Sequence, residues 1–513
     1  MGHDNFNTDV WKWKARSYDF GSGVFTFDFQ KTLQKYHPGV TLMWLGAFGI
    51  KSYNLYYDIA YKTPPTENIV KTVFELDFVQ KLFVVTAIGA VLAFIFFPLK
   101  KLFGLKYAFL SIFLVSFEPF YIGLTRVFHL EGLLSALMLA SVVWLYYHFK
   151  QPKTSKLILS GVFAGLSFLT KTTALFLLPF FALTTAIFFY KEAKSISKTF
   201  TYLLKSGSLW LISFVFTAFL LWPILWVNPV DAVDAMYRGV SVIGIEREHE
   251  QFYFSKFVTD PGPTFYVVVF ALRSSFWLLI GLVGLALARK KALNSSKSEF
   301  VIFLLIYGIF YLIQLTIPSK KLDRYVMPSL VSFALIASFF YLWFLENVKL
   351  NKIVKILALT IPILYTCYYL HPDYFSYYNP IFGGLRTGIG VIEPKWIIGT
   401  PEIQNYFKRL QKSQKFEPAP EDKSLEALIK TKQINRILAV SFAEKYYTQI
   451  WPFFREFGAW AVIDDITPQA VYSQYFVYPV WEDPSSRETR FKLLYVDSIK
   501  LRGVPVYNVY KKI

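Results

Sequence analysis

The stretch QKLFVVTAIGAVLAFIFFPLKKLFGLK, Gln80 to Lys106, settles the class of this protein. A run of apolar residues reaches Pro98 with almost no charge, and Lys100, Lys101 and Lys106 follow at once. A helix of about 20 such residues crosses a hydrocarbon core of about 30 Å, and basic residues mark its cytoplasmic end. The pattern recurs. We read ten spans, at 80–98, 103–122, 130–148, 156–170, 172–190, 205–227, 264–288, 299–317, 324–345 and 352–370. The span at 156–170 is short and abuts the next, as a broken pair would. The chain has 513 residues, 54% hydrophobic, 19% aromatic and only 17% charged, with mean hydropathy +0.38. A soluble domain of this size would not show so little charge. The expected fold is a polytopic α-helical membrane protein.

The basic stretches LKKLFGLK, HFKQPKTSK, YKEAKSISK, ARKKALNSSK and ENVKLNK fall in alternate connections, which makes that side cytoplasmic. They also account for the net charge of +19 without any nucleic-acid partner. Residues 1–78, the loop 228–263 and everything after 371 then share the outer side. We divide the chain into a first outer loop (1–78), a transmembrane domain (79–370) and a small outer α/β domain (371–513). The last shows apolar runs of strand length (INRILAVSF, FGAWAVI, QYFVYPVW, KLLYV) and a helix-like PEIQNYFKRLQKSQ. Residues 1–78 must be outside without a signal of their own, so a preceding helix in the natural protein is expected. The single cysteine, Cys367, excludes an intramolecular disulfide and a cysteine-built metal site.

Outer-side cations oppose the positive-inside trend and are therefore informative. Arg126, Lys171, Lys320, Lys321 and Arg324 all fall at helix ends on that face, with Asp9, Glu118, Glu131, Asp260 and Asp323 at the same level. Ionisable groups at membrane depth pair and often mark function. Read blandly, Arg126–Glu131 and Asp323–Arg324 are interfacial ion pairs, and Lys171 snorkels. Their convergence fits one chemistry better. A lipid phosphate needs Arg and Lys donors to hold it as it leaves, and an attacking hydroxyl needs a carboxylate to take its proton. Transporters gather charge at the bilayer midplane instead.

Motifs in order along the chain carry a family resemblance: DVWKWKARSYDF (9–20) with KYHPGVTLMWLGA (35–47), EPFYIGLTRVFHLEG (118–132), GVFAGLSFLTKTTALFLLP (161–179), DPGPTFYVVVFALR (260–273), and SKKLDRYVMPSL (319–330) with YFSYYNPIFGG (374–384). Over about residues 9–385 the chain resembles the GT-C superfamily of integral-membrane glycosyltransferases, most closely its protein O-mannosyltransferase-like branch. The resemblance implies a catalytic Asp in the first outer loop, usually in an Asp-Glu pair. Asp9 takes that place; Val10 stands where the Glu would be, and Asp4 fits the spacing less well. Mannosyltransferase relatives carry an Arg followed five residues later by an Asp; Arg126 and Glu131 keep that spacing with Glu for Asp.

The resemblance further implies an inverting transfer of a monosaccharide, mannose by family default, from a polyprenyl-phosphate donor to a protein, lipid or glycan acceptor. Asp9 and Glu131 are the candidate catalytic carboxylates, with Asp9 as base and Glu131 orienting the sugar or holding Arg126. Arg126, Lys171, Lys321 and Arg324 are the candidate phosphate ligands, and His37, Glu118, His129 and His249 possible substrate contacts. Each of these has a plainer reading: His37 shapes a turn before Pro38, Glu118 caps or breaks a helix before Pro119, His129 packs one turn from Arg126, and His249 sits in a solvated loop. No spacing suggests a metal site, and EREHE is not HExxH; some GT-C relatives do use a divalent metal. In a prokaryote the site would face outward from the plasma membrane. A lipid or sugar transporter, and a non-catalytic GT-C-like assembly protein, are the rival readings.

Overall fold

The computed structural model describes residues 6–65, 69–239, 241, 250–421, 423–464, 467–482 and 491–513. The expected spans are helical, but 103–122 and 264–288, read as single spans, are each broken into two helices. Helices long and apolar enough to cross a membrane start at Val70–Phe103 and Leu130–Lys150, continue with Thr172–Ala193, Ile196–Leu221 and Ser295–Thr316, and end with Asp323–Asn347 and Lys352–Leu370. Two further spans are bent pairs, Leu105–Ser116 with Pro119–Thr125 (70°) and Phe265–Arg273 with Phe276–Ala292 (108°), and Thr154–Thr170 is a shorter apolar helix. The protein is therefore an integral, multi-pass membrane protein.

The two breaks are built against each other. Pro119 at the first helical position cannot extend the preceding helix. Glu118, just before it, accepts from the Ser275 backbone N–H at 2.7 Å and from Ser275 Oγ at 2.6 Å, so the carboxylate that ends one broken span caps the other. The remaining groups at the second break are met by Tyr377, whose hydroxyl receives the Phe276 N–H, and by Asn379, which donates to the Ser274 carbonyl. Water cannot satisfy backbone groups at membrane depth, so a break survives only where protein does.

Leu130–Lys150 and Asp323–Asn347 are the central helices, 89% and 78% buried over their apolar windows against 28% for Ile196–Leu221 and for Lys352–Leu370. Thr154–Thr170 lies flush on Ile196–Leu221. A Cβ on Gly161 would meet the Trp210 carbonyl at 2.6 Å and one on Gly165 the Phe214 carbonyl at 2.7 Å, so the small residues one turn apart permit the approach.

Some results add to or depart from the sequence reading. The described part of residues 1–78 carries the helices Val10–Phe25 and Val40–Tyr61 and the start of Ile69–Phe103, which the sequence reading did not distinguish. The last of these begins ahead of its apolar run because Asp77 and Lys81 are fully buried there, with Lys14 of the first helix 3.1 Å and Lys81 2.6 Å from the Asp77 carboxylate. Likewise the helix expected from 205 begins at Ile196, capped by Ser195. Beyond the membrane helices, a hairpin of β1 (Gln251–Tyr253) and β2 (Lys256–Val258) precedes a five-stranded mixed sheet. Its strands are β3 (Ala439–Phe442), β4 (Trp460–Ile463), β5 (Tyr475–Pro479), β6 (Leu493–Leu501) and β7 (Val504–Lys512), in the order β4-β3-β5-β7-β6. β3 runs parallel to β4 and β5, while β7 is antiparallel to β5 and β6. Strand β7, missed in the sequence, is the one that joins the final hairpin to β5. This domain rests on the first helix: Trp11 Nε1 donates to the Thr448 carbonyl, and Phe6 packs edge-on to Phe453.

Candidate active site

Four chain segments far apart in sequence bring charged side chains together at the helix ends away from the basic loops. Asp9 stands just ahead of Val10–Phe25 and does not cap it with its side chain. It is held there by Asn7, whose Oδ1 receives the Asp9 N–H at 2.9 Å and whose Nδ2 donates to the Phe128 carbonyl at 3.2 Å. That second bond sets Asp9 opposite His129, with Oδ2 3.9 Å from Nε2. His129 precedes Leu130–Lys150 in extended conformation, and its Nδ1 rests on Glu131 Oε2. Glu131 Oε1 is 2.8 Å from Lys171 Nζ and 3.5 Å from Arg324 Nε. Lys171 occupies the extended residue where Thr154–Thr170 stops and the next helical turn begins. Arg324 lies in the single turn Asp323–Val326 that leads into a central helix. The result is a chain of alternating charge, Asp9–His129–Glu131–(Lys171, Arg324).

Aromatic rings line it. Lys171 Nζ sits 3.8 Å from the centre of the Tyr325 ring, and the Arg324 guanidinium 5.2 Å from that of Trp396. Trp396 also meets the His129 ring edge-on at 5.0 Å. Asp9 is the most open member, 37% exposed, whereas the side chains of His129, Glu131 and Lys171 are buried. The facing His129, with the charges of Arg324 and Lys12, holds the Asp9 carboxyl well below its usual range, against the opposing effect of burial. Burial works to discharge His129, but the Glu131 charge and its bonds to Asp9 and Glu131 prevail and raise its pKa. An ionised carboxylate with an accessible oxygen can accept a proton, and the Lys171 and Arg324 cations beyond it can hold an anion.

His37 also comes to this place. Its Nδ1 is 3.1 Å from Thr172 Oγ1, one residue from Lys171. Burial, and then the Lys171 charge, push its pKa down to about 3, so the ring is neutral.

Other expected residues lie elsewhere. Arg126 is not beside Glu131; Nη1 is 2.9 Å from His371 Nδ1 and the guanidinium covers the Tyr374 ring, because the turn between Thr125 and Leu130 points the two side chains apart. Lys321 Nζ pairs with Asp260 at 2.6 Å, and Glu118 serves the helix break. Asp323 takes the buried Arg273 as its partner, 2.7 Å away. Asp4 and His249 lie outside the described residues. Among the described residues no group of three or more His, Cys, Asp or Glu is arranged to hold a metal ion.

Sequence reasoning missed Asn7, Tyr325, Trp396 and Arg273. Only Arg273, an arginine closing an apolar run, left a signal that could have been read.

Residues 68–222 match the sequence profile of the dolichyl-phosphate-mannose-protein mannosyltransferase family, a segment that contains His129, Glu131 and Lys171 but neither Asp9 nor Arg324. No curated protein matches the sequence. Among solved structures, the chain is similar to ArnT from Cupriavidus metallidurans in the apo state, with 11% identity, a TM-score of 0.44, and 97% of this chain and 93% of that one covered. It is similar at 12% identity and the same TM-score to ArnT bound to undecaprenyl phosphate, over 96% and 92% of the two chains. An oligosaccharyltransferase from Archaeoglobus fulgidus aligns at 11% identity and a TM-score of 0.42, over 92% of this chain and 66% of that one. These superpositions are too loose to set residue against residue. Over residues 68–222, then, the chain is similar to this family of mannosyltransferases, and the matched segment lies within its membrane helices.

Proposed function

We propose that the protein transfers one sugar, mannose by the family's description, from a polyprenyl-phosphate donor to an acceptor hydroxyl, with inversion, on the outer side of the membrane. The observation that carries this reading is the partly open Asp9, linked through His129 and Glu131 to the cation pair Lys171 and Arg324 at the mouth of the helix bundle. In the reaction the acceptor oxygen forms a bond to the anomeric carbon. The bond from that carbon to the phosphate oxygen breaks, and its electron pair leaves with the phosphate. The acceptor proton passes to Asp9 Oδ. Lys171 and Arg324 stabilise the charge on the departing oxygen, while the alternation of basic loops supports an outward site. The family's description also supports a protein acceptor. The test is to incubate membranes containing the protein with radiolabelled polyprenyl-phosphate mannose. Label should leave the lipid and polyprenyl phosphate should accumulate; label that stays on intact donor while the donor changes leaflet would favour transport instead.

A further inference from the structure

Glu131 lies on the two cations to which the proposed reaction assigns the departing phosphate. One oxygen takes both Lys171 and Arg324. The cleft on the other side of Arg324 is lined by Arg273, Asp323, Lys395 and Trp396 and does not reach Lys171. An anion that contacts both cations where Glu131 Oε1 now lies has to displace that carboxylate. That carboxylate has a second resting place, because its other oxygen already lies on His129 Nδ1. Lys171, by contrast, is deeply buried and would be left uncompensated each time a phosphate departed. The ligand's own charge sharpens the problem. A lipid phosphodiester carries one negative charge, whereas the released monoester acquires a second with a pKa near 6. The product thus binds the same cations more tightly than the donor, and something has to loosen it.

We infer that Glu131 is a resident counter-anion that competes with the lipid phosphate for Lys171 and Arg324 and thereby speeds release of polyprenyl phosphate after sugar transfer. This rests on the glycosyl-transfer reading above. It assigns Glu131 a part in the turnover cycle that involves no proton transfer and no contact with the sugar, and makes it a positioning residue for the two cations.

The experiment measures binding of undecaprenyl phosphate to the full chain in lipid nanodiscs, for wild type, Glu131→Gln and Glu131→Asp. Gln keeps the shape and removes the competing charge. Asp keeps the charge but draws it back by one methylene, which lengthens its contacts with both cations. Undecaprenyl phosphate should bind roughly tenfold to a hundredfold more tightly to Glu131→Gln, the worth of one charge-assisted contact. Binding to Glu131→Asp should also tighten, by a smaller factor. A side chain that merely supported the fold could not raise affinity when altered. Unchanged or weaker binding in the folded variants, with wild type binding normally, overturns the role of Glu131 alone. Should Glu131→Gln fail to fold, the Asp variant decides by itself. Failure of wild type and variants alike to bind the lipid phosphate would remove the donor reading, and this inference with it.

Discussion

Replacing Asp9 by Asn tests the proposed base most directly. The amide keeps the size and much of the hydrogen bonding of the carboxylate but cannot take a proton. The structure says what else should change. Asp9 makes no side-chain cap bond to Val10–Phe25 and is 37% exposed, so the helix loses little. Its position is set through its backbone N–H by Asn7, which the substitution leaves in place. His129 loses one partner but keeps Glu131, and the Glu131–Lys171–Arg324 group is untouched. Donor affinity should therefore change far less than turnover, because the contacts of Lys171 and Arg324 with Glu131 are kept. Turnover should fall by about 10²–10⁴, or roughly 2.7–5.4 kcal/mol of transition-state free energy at about 1.36 kcal/mol per tenfold. Turnover is read by label transfer from polyprenyl-phosphate mannose, and affinity by a separate binding measurement on the same nanodisc preparation. A folded Asp9→Asn protein that turns over within about tenfold of wild type would refute Asp9 as the base. If Glu131→Gln then abolished chemistry in a single turnover, the role would pass to Glu131.

Three further outcomes are expected. Arg324→Ala should weaken donor binding by about 1.5–3 kcal/mol and Arg324→Lys by less, whereas Arg126→Ala, whose guanidinium faces His371 and Tyr374, should leave it nearly unchanged in a titration with the lipid donor. Glu118→Ala strips the acceptor from two buried donors on Ser275 and should destabilise the detergent-solubilised protein by about 2–6 kcal/mol, at about 1–3 kcal/mol for each orphaned group, with Glu118→Gln milder in a thermal melt. His37, held to a pKa of about 3 by burial, binds its proton far more readily unfolded than folded; its contribution to stability is complete above the unfolded value near 6.5 and is lost as pH falls from there towards the folded value. The unfolding midpoint of His37→Asn should accordingly vary less than that of wild type across that window.

The membrane class was legible because hydrocarbon imposes its demand locally. A span must be apolar over its own length, and its flanking lysines set its direction, so periodicity at Gln80–Lys106 and its counterparts was enough. Four strands of the outer sheet were legible for a similar reason, in runs such as FGAWAVI, but β7 was not. Val10–Phe25 and Val40–Tyr61 were not, because their charges are met by other segments: Lys14 finds Asp77, and Tyr53 and Tyr57 find Glu75. The sequence also nominated Lys171 and Arg324, as charges at helix ends where charge is costly, and, through the family resemblance, Asp9 and Glu131, with His129 as a possible substrate contact. It could not sort them from Arg126, Lys321 and Glu118, which satisfy the same rule. That sorting was tertiary. Whether a cation at a helix end faces a shared centre depends on helix rotation and on what folds over it, and Trp396, more than 260 residues from His129, is part of that cover. Spacing along one chain limits which groups can meet, but the partner of a buried charge is fixed only when the helices pack, because its desolvation must then be offset by whichever opposite charge lies within reach.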